Sequence, residues 1–282
     1  LSGNPRVFYG RIDIGAYESQ TIPLIAPGPG NILYVDQNVN GGDGSGSNWV
    51  NAMKELSDAL RYARTLNNYT AENPLKIYVA KGIYQPLYSA EDNNYFDSKD
   101  RLNSFVMVKN VQVYGGFDPA NSITELSHNR IFSGSGAEGT ILSGDVGMPD
   151  VNTDNAYSVV ISAGDVGSAK LDGFTVMGGN ADLPTGSITV NEQVFQRNFG
   201  GGVCNWNSSP VLANLRITGN AAGYIGAGIY NYFSAPALTN VLITGNHAAT
   251  FGGGSFNTGS APVLTNVTIS GNTAGNSGKE WY

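Results

Sequence analysis

The chain is poor in cysteine and in charged residues. Cys204 is its single cysteine among 282 residues, so neither an internal disulfide nor a cysteine-based metal cluster can form. Only 13% of the residues are charged, with 22 Asp plus Glu against 15 Lys plus Arg. This acidic balance repels phosphate backbones and argues against nucleic acid as a partner. No apolar run reaches the roughly 18 residues that a spanning helix needs, so membrane insertion is not expected.

Glycine and short apolar stretches are abundant instead. The sequence contains 38 glycines and is 41% hydrophobic. Disordered chains combine few apolar residues with high net charge, which is not the composition found here. The composition favours short strands joined by tight turns.

An internal repeat dominates the last third of the chain. The segments 199–220, 225–246 and 251–272 align without gaps, each 26 residues after the one before. The positions that keep their residue type in all three segments are Gly200/Gly226/Gly252, Gly202/Gly228/Gly254, Asn205/Asn231/Asn257, Pro210/Pro236/Pro262, Leu212/Leu238/Leu264, Asn214/Asn240/Asn266, Ile217/Ile243/Ile269 and Asn220/Asn246/Asn272. Such a period is typical of solenoid proteins, whose units bury their apolar faces only by stacking.

One unit is too short to hold a crossover helix. Leu215 and Ile217 alternate with Arg216, which predicts a strand, and a Thr-Gly-Asn turn follows. Stacking predicts interior ladders of aliphatic residues at 215/241/267 and 217/243/269. It also predicts asparagine turns at 214/240/266 and 220/246/272 with φ > 0 and stacked amides, and left-handed glycines at 200/226/252. The sequence therefore predicts an all-β fold, a β-solenoid.

The rhythm is looser upstream. Strands are predicted near 32–35, 76–79, 104–108, 111–114, 140–142 and 158–161, and a longer excursion covers 181–198. Apolar residues at 49, 53, 56, 60 and 63 form a helical stripe. An amphipathic helix beside a solenoid is expected to cap an open sheet edge.

These features together resemble a known family. Residues 34–36, the helical stripe, and the segments 77–84, 113–117, 140–145 and 171–180 are similar to the bacterial right-handed β-helix repeat proteins, which are pectate-lyase-like in fold. The resemblance covers about residues 30–282 together with the repeats. It implies a single-stranded right-handed parallel β-helix with a short N-terminal capping α-helix. It also implies a location outside the cell or on the outer surface of a bacterium.

The resemblance extends to the domain organisation. Residues 1–24 resemble the closing segment of such a helix, which suggests the tail of a preceding module. The Pro- and Gly-rich residues 25–30 are interpreted as a linker. Residues 31–282 form the expected β-helix, which stops within a further unit. Neighbouring β-helix modules of the same protein are the expected partners at its ends.

Acidic chemistry is confined to the upstream part. No Asp or Glu lies between Gln193 and Lys279, so the regular coils cannot supply the carboxylate pair of a glycoside hydrolase. The candidates for catalysis that remain are Asp145, Asp150, Asp154, Asp172, Asp182, Glu192 and Arg197. Their spacing defines no catalytic set, so the catalytic residues stay unassigned.

Two clusters of Asp and Asn resemble calcium loops. Asp150, Asn152 and Asp154 offer oxygen ligands at alternate positions and form a candidate structural Ca²⁺ site. Asp36, Asn38 and Asn40 copy the first half of an EF-hand loop, but Ser47 stands where its glutamate is required. Turn chemistry alone also produces such clusters. No cofactor is expected to be required.

Aromatic residues recur in the repeats at positions predicted to face outward. Tyr230 and Phe256 are in register, and Trp206 and Tyr232 form a neighbouring pair. Flat aromatic faces on a weakly charged surface suit stacking on sugars, although an insertion could cover them instead.

Three functions are in agreement with these patterns. The first is a non-catalytic extracellular or cell-surface module, adhesin-like or polysaccharide-binding, with polysaccharides or glycoprotein glycans as partners. The second is a polysaccharide lyase or glycoside hydrolase of pectate-lyase-like fold. The third is a structural spacer in a long surface protein. The absence of Asp and Glu from the regular coils favours the first.

Overall fold

A computed structural model describes residues 24–66, 68–132, 139–183 and 185–282, together with the backbone of Val7–Phe8 and Arg11–Ile12. Over these residues the chain is mostly β, and most of its strands are parallel and belong to curled sheets. This arrangement is compatible with a solenoid-like fold. Apart from those two strands and Leu24, the predicted tail of a preceding module, residues 1–24, lies outside the described residues. No helix of the described residues is both long and apolar enough to cross a membrane.

The strands upstream of the regular coils are short. In chain order the described ones are β1 (Val7–Phe8), β2 (Arg11–Ile12), β3 (Ile32–Val35), β4 (Leu75–Ala80), β5 (Gly82–Tyr84), β6 (Phe105–Val106), β7 (Val111–Phe117), β8 (Thr140–Ser143), β9 (Val160–Ala163), β10 (Lys170–Asp172), β11 (Phe174–Met177), β12 (Asn180–Ala181), β13 (Ser187–Val190) and β14 (Gln193–Gln196). They include a strand at each of the six predicted segments. Helix α1 spans Leu56–Arg64, and short 3₁₀ turns cover Pro119–Asn121 and Asn152–Asp154.

The regular region repeats one set of three strands. These are β15 (Val203–Trp206), β16 (Val211–Thr218) and β17 (Ala221–Ala222), then β18 (Ile229–Tyr232), β19 (Ala237–Thr244) and β20 (His247–Ala248), then β21 (Ser255–Thr258), β22 (Val263–Ser270) and β23 (Thr273–Ala274). Each strand of the first two sets pairs in parallel with the strand 26 residues later. Every unit therefore contributes one strand to each of three parallel sheets.

The predicted aliphatic ladders are confirmed. Leu215 pairs with Val241, and Ile217 pairs with Ile243, and all four side chains are buried in the main core. Val267 and Ile269 continue both ladders and are partly buried against the same core. Burial of such ladders contributes about 25 cal/mol per Å² of apolar surface removed from water, which makes the stacked interior the main source of stability.

The bends between the sheets are built from asparagine and glycine. Asn214, Asn240 and Asn266 have φ of 51°, 55° and 52°, as predicted. At the second predicted turn the positive φ belongs to the preceding glycine, Gly219 at 64°, and not to Asn220. The glycine, which carries no Cβ, takes the left-handed conformation there without strain, while the Asn220 side chain is buried. The amide stacking itself is confirmed: Asn220 Nδ2 donates to Asn246 Oδ1 at 2.9 Å.

Helix α1 is shorter than its apolar stripe predicts. It begins at Leu56, and its buried residues Leu56, Ala59, Leu60 and Ala63 join the main core. The helix contacts β3 and β4, and β3 is an edge strand of the ten-stranded sheet. Trp49 lies outside the helix and packs against Tyr34 and Phe117 instead, with ring centroids 4.9 and 5.4 Å away.

A second apolar cluster lies outside the main core. It contains Val106, Ile161, Cys204 and Tyr230 from the five-stranded sheet β6-β9-β15-β18-β21. Residues from the antiparallel hairpin β13–β14 complete it, among them Ile188, Val190 and Phe195. The excursion predicted at 181–198 is therefore a hairpin, and it packs against the outer face of this sheet.

Candidate functional site

The outer face of the five-stranded sheet carries aromatic side chains in register. Cys204 pairs with Tyr230, and Tyr230 pairs with Phe256. The neighbouring ladder joins Trp206 to Tyr232. We call the aromatic face the set of Trp206, Tyr230, Tyr232, Phe233, Phe256 and Tyr282. None of these six side chains carries a charge at neutral pH.

Ring stacking orders the aromatic face. The Trp206 and Tyr232 rings are stacked with centroids 3.9 Å apart, and Tyr230 stacks on Phe256 at 5.9 Å. Phe256 in turn stacks on Tyr282 at 4.9 Å. Such pairs contribute about 0.5–1.5 kcal/mol each beyond the area they bury. The rings therefore form a rigid surface rather than a set of independent side chains.

The hairpin β13–β14 covers one end of the aromatic face. Phe195 of β14 stacks on Trp206 at 5.4 Å, and Cys204 beneath the hairpin is fully buried. Burial raises the pKa of the Cys204 thiol, so this side chain packs and is not a nucleophile. Trp206, Tyr232 and Phe256 remain partly exposed, and Tyr282 is more open still.

Tyr230 corrects the prediction of an exposed residue. It points away from the main core as its register predicts, but only 3% of its surface is exposed. Phe199, Trp206 and Phe256 surround its ring. Burial raises the pKa of the Tyr230 hydroxyl. Because its ring is enclosed, Tyr230 supports its neighbours and offers no face to a ligand.

Phe233 is the most exposed ring of the set and was not among the site residues predicted from sequence. Its surface is 59% exposed, and its ring meets Tyr232 edge-on at 4.7 Å. Its φ is 45°, in the left-handed region that bulky residues rarely adopt. The equivalent positions hold Asn207 and Gly259, with φ of 50° and 58°. The repeat alignment contained this signal, because a phenylalanine stands where Asn and Gly occur.

The three residues of the predicted calcium site, Asp150, Asn152 and Asp154, differ in their exposure. The Asp150 and Asn152 side chains are exposed. Asp154 is half-buried, and its Oδ2 accepts a hydrogen bond from Met148 N at 2.7 Å. No group of three His, Cys, Asp or Glu side chains that could hold a metal ion occurs within the described part of the chain. In the other predicted cluster, Asp36 Oδ1 accepts from Asn38 N at 2.9 Å, which is ordinary turn chemistry.

Two further carboxylates predicted as catalytic candidates, Asp172 and Asp182, are engaged in ion pairs. Asp182 pairs with Arg101 at 2.5 Å. Asp172 lies 2.9 Å from Arg130 and 2.7 Å from Lys170. Burial alone would raise the pKa of Asp172, but hydrogen bonds from Lys170 and Asn214 and the charge of Arg130 outweigh it and lower the pKa. These contacts are those of structural ion pairs.

One polar groove combines acidic and basic side chains. It encloses about 620 Å³ between the end of α1 and the tip of the β13–β14 hairpin. Arg64, Lys109, Asp165 and Glu192 line it, and Lys109 pairs with Asp165 at 2.5 Å. The structure thus brings Glu192, a candidate from sequence, near Asp165, which was not one. The sequence could not predict that Glu192 and Asp165 line the same groove, because the two residues belong to different loops.

The comparisons with known proteins return no similarity. No family model matches the chain, no curated protein is similar to it, and no solved structure matches it. The resemblance to β-helix repeat proteins therefore rests on the sequence motifs and on the strand pairing described above.

Proposed function

We propose that this chain is a non-catalytic, glycan-binding module with the fold of a single-stranded right-handed parallel β-helix, capped at its N-terminal side by α1. The fold proposal is supported by the 26-residue offset that three sheets share, since each unit then makes one complete coil. Parallel strands joined by crossover connections are right-handed in about 98% of cases, which supports the handedness.

The glycan-binding proposal depends on the conformation of Phe233. A bulky residue with a left-handed backbone costs about 1–3 kcal/mol. Because 59% of the Phe233 surface stays exposed, burial of its ring offsets only part of that cost. The ring contacts support the proposal further, because Tyr232 is stacked on Trp206 and meets Phe233 edge-on, which leaves Phe233 as the most exposed ring of the three. A strained, exposed aromatic residue beside two stacked rings suits the apolar face of a sugar.

The aromatic face also restricts the class of glycan. It has no charged member, so it can recognise ring faces but cannot neutralise uronate groups. We therefore propose neutral or weakly charged polysaccharides, or the glycans of glycoproteins, as partners. An extracellular or bacterial cell-surface location, and neighbouring β-helix modules, belong to the same proposal through the family resemblance.

The proposal is tested by retention on a panel of plant glucans, mucin, pectins and alginate, with chain cleavage scored in parallel. Phe233→Asn keeps the left-handed backbone while removing the ring, and we expect it to weaken retention on the bound glycan about tenfold. The matched control is Phe96→Asn, because Phe96 is 66% exposed and lies outside the aromatic cluster. It should leave retention unchanged.

The runner-up function is a polysaccharide lyase or glycoside hydrolase, and the groove with Asp165 and Glu192 favours it. Two results together would favour the enzyme over our proposal. Glycan cleavage would be abolished by Glu192→Gln, and glycan retention would be unaffected by Phe233→Asn. If the chain neither binds nor cleaves any glycan of the panel, that result would favour the structural spacer.

A further inference from the structure

The loop between β8 and β9 is a closed structure with a narrow neck. Ala156 N donates to Gly144 O at 2.8 Å, which joins the two ends of the loop. Asp145 therefore follows one side of the neck directly, and Asn155 precedes the other. Within the loop, Val151 N donates to Met148 O at 3.1 Å and forms a tight turn.

Two carboxylates hold this turn in the same manner. Asp145 Oδ2 accepts a hydrogen bond from Asp150 N at 3.2 Å, and Asp154 Oδ2 accepts one from Met148 N at 2.7 Å. Each carboxylate has a second oxygen, Oδ1, that is buried and has no hydrogen-bond partner among the described residues. A buried acceptor without a partner costs about 1–3 kcal/mol, and more when it is charged.

Asn155 supplies a third unpartnered oxygen. Its residue surface is only 3% exposed, and its Oδ1 is buried without a partner in the described part of the chain. Asn155 follows Asp154 directly and stands at the neck, where Ala156 N donates to Gly144 O. The two carboxylates accept from N–H groups only two residues apart, Met148 N and Asp150 N, so the three unpartnered oxygens belong to one closed loop.

We propose that Asp145 Oδ1, Asp154 Oδ1 and Asn155 Oδ1 bind a calcium ion. All three are hard oxygen acceptors, which is the ligand type that Ca²⁺ prefers, and two of them carry the compensating negative charge. The nearby Arg101 does not oppose the ion, because its charge is paired with Asp182 while its Nε donates to the Asn155 carbonyl. Water and loop carbonyls complete the six to eight oxygens of the shell.

The predicted ligand set differs from the one that sequence spacing suggests. Asp150 and Asn152 have exposed side chains, and Asp150 contributes only its backbone N–H to the loop. With two carboxylates the site is weakly charged, so its affinity should fall in the range of extracellular calcium modules, with a Kd of roughly 0.1–1 mM. Calcium then ties the two ends of the loop together beside β9, independently of the aromatic face.

Calorimetric titration of the chelator-treated full chain with CaCl₂ tests the site, with MgCl₂ as the comparison ion. We expect one calcium per chain, much weaker magnesium binding, and a rise in Tm of about 2–5 °C at 5 mM CaCl₂. No heat and no Tm shift with CaCl₂ would overturn the proposal, because the three oxygens would then be served by water. No glycan is present, so the result is independent of the proposed glycan binding.

Variants assign the ligands. Asp145→Asn and Asp154→Asn each keep an acceptor for the loop N–H while removing the charge, and each should abolish the calcium-dependent Tm shift. Asp150→Asn is the matched control, since its side chain is exposed and Asn tolerates its φ of 63°. It should keep the shift. Loss of the shift in Asp150→Asn with retention in Asp154→Asn would overturn the assignment, and Asp154→Asn suffices if Asp145→Asn does not fold.

Discussion

Along one outer bend of the stacked sheets, the regular coils and the coils upstream satisfy their polar groups by different chemistry. In the regular coils, Asn266 donates to Asn240 at 2.8 Å, and Asn240 donates to Asn214 at 3.1 Å. The same ladder then reaches Asp172, whose Oδ1 accepts from Asn214 at 2.8 Å. There the amides end, and Arg130 provides the next contact through its ion pair.

The difference follows from what each side chain can donate and accept. An amide is donor and acceptor at once, so an asparagine ladder can repeat without limit at one rung per coil. A carboxylate only accepts, so Asp172 ends the ladder and requires cations on its other side. The regular coils can therefore be extended by copying one unit, whereas the upstream coils depend on a particular set of charges.

Removing Asp172, the charged end of the asparagine ladder, should lower the free energy of unfolding more than any other change proposed here. Asp172→Ala leaves Arg130, whose side chain is only 9% exposed, without its partner in a nearly dry site. Removing one partner of a buried ion pair typically costs about 3–5 kcal/mol, and we expect a loss of that size in the free energy of unfolding. Urea denaturation monitored by circular dichroism measures it.

The pH dependence of the same pair provides the control. The pKa of Asp172 is lowered in the folded protein, so its contribution to stability is present above the unfolded value of about 3.9 and is lost as the pH falls through the lower folded value. The stability difference between the natural protein and Asp172→Ala should therefore shrink below about pH 4. A difference independent of pH would mean that lost packing, and not charge, causes the destabilisation.

Breaking the interior amide ladder should have the second largest effect. Asn246 is buried, accepts from Asn220 Nδ2 and donates to Asn272 Oδ1, each at 2.9 Å. Asn246→Ala leaves these groups unsatisfied, so we expect a loss of about 2–3 kcal/mol in the same denaturation experiment.

The exposed ladder offers the matched control for this loss. Asn240→Gly removes an amide that reaches solvent, and glycine fits its φ of 55°, so we expect a loss below about 1 kcal/mol. Equal losses in Asn246→Ala and Asn240→Gly would contradict the argument that burial sets the cost.

Regularity also explains how far sequence could predict this molecule. The ladders of Ile217 and Asn246 were predictable, because stacking identical units puts identical residues in contact. The burial of Tyr230 was not, because it depends on rings from neighbouring coils and on how tightly they close around it. The unpartnered oxygens of Asp145 and Asn155 belong to the two ends of a loop that a backbone hydrogen bond closes, and spacing along the chain does not encode that closure. Phe233 could be predicted in part. The repeat alignment marks its position as unusual, but only the structure shows that its ring is exposed.

The smallest expected effect concerns the strained ring of the aromatic face. Phe233→Asn should leave the free energy of unfolding unchanged or raise it by up to about 1 kcal/mol, because Asn tolerates the left-handed backbone and the lost ring is mostly exposed. The control is Tyr232→Asn, which should destabilise the fold because Tyr232 stacks closely on Trp206. A loss above 1 kcal/mol in Phe233→Asn would show that the ring is retained for packing against its own coils. Unchanged or increased stability together with weaker glycan retention would show that the fold tolerates the strain for the sake of binding.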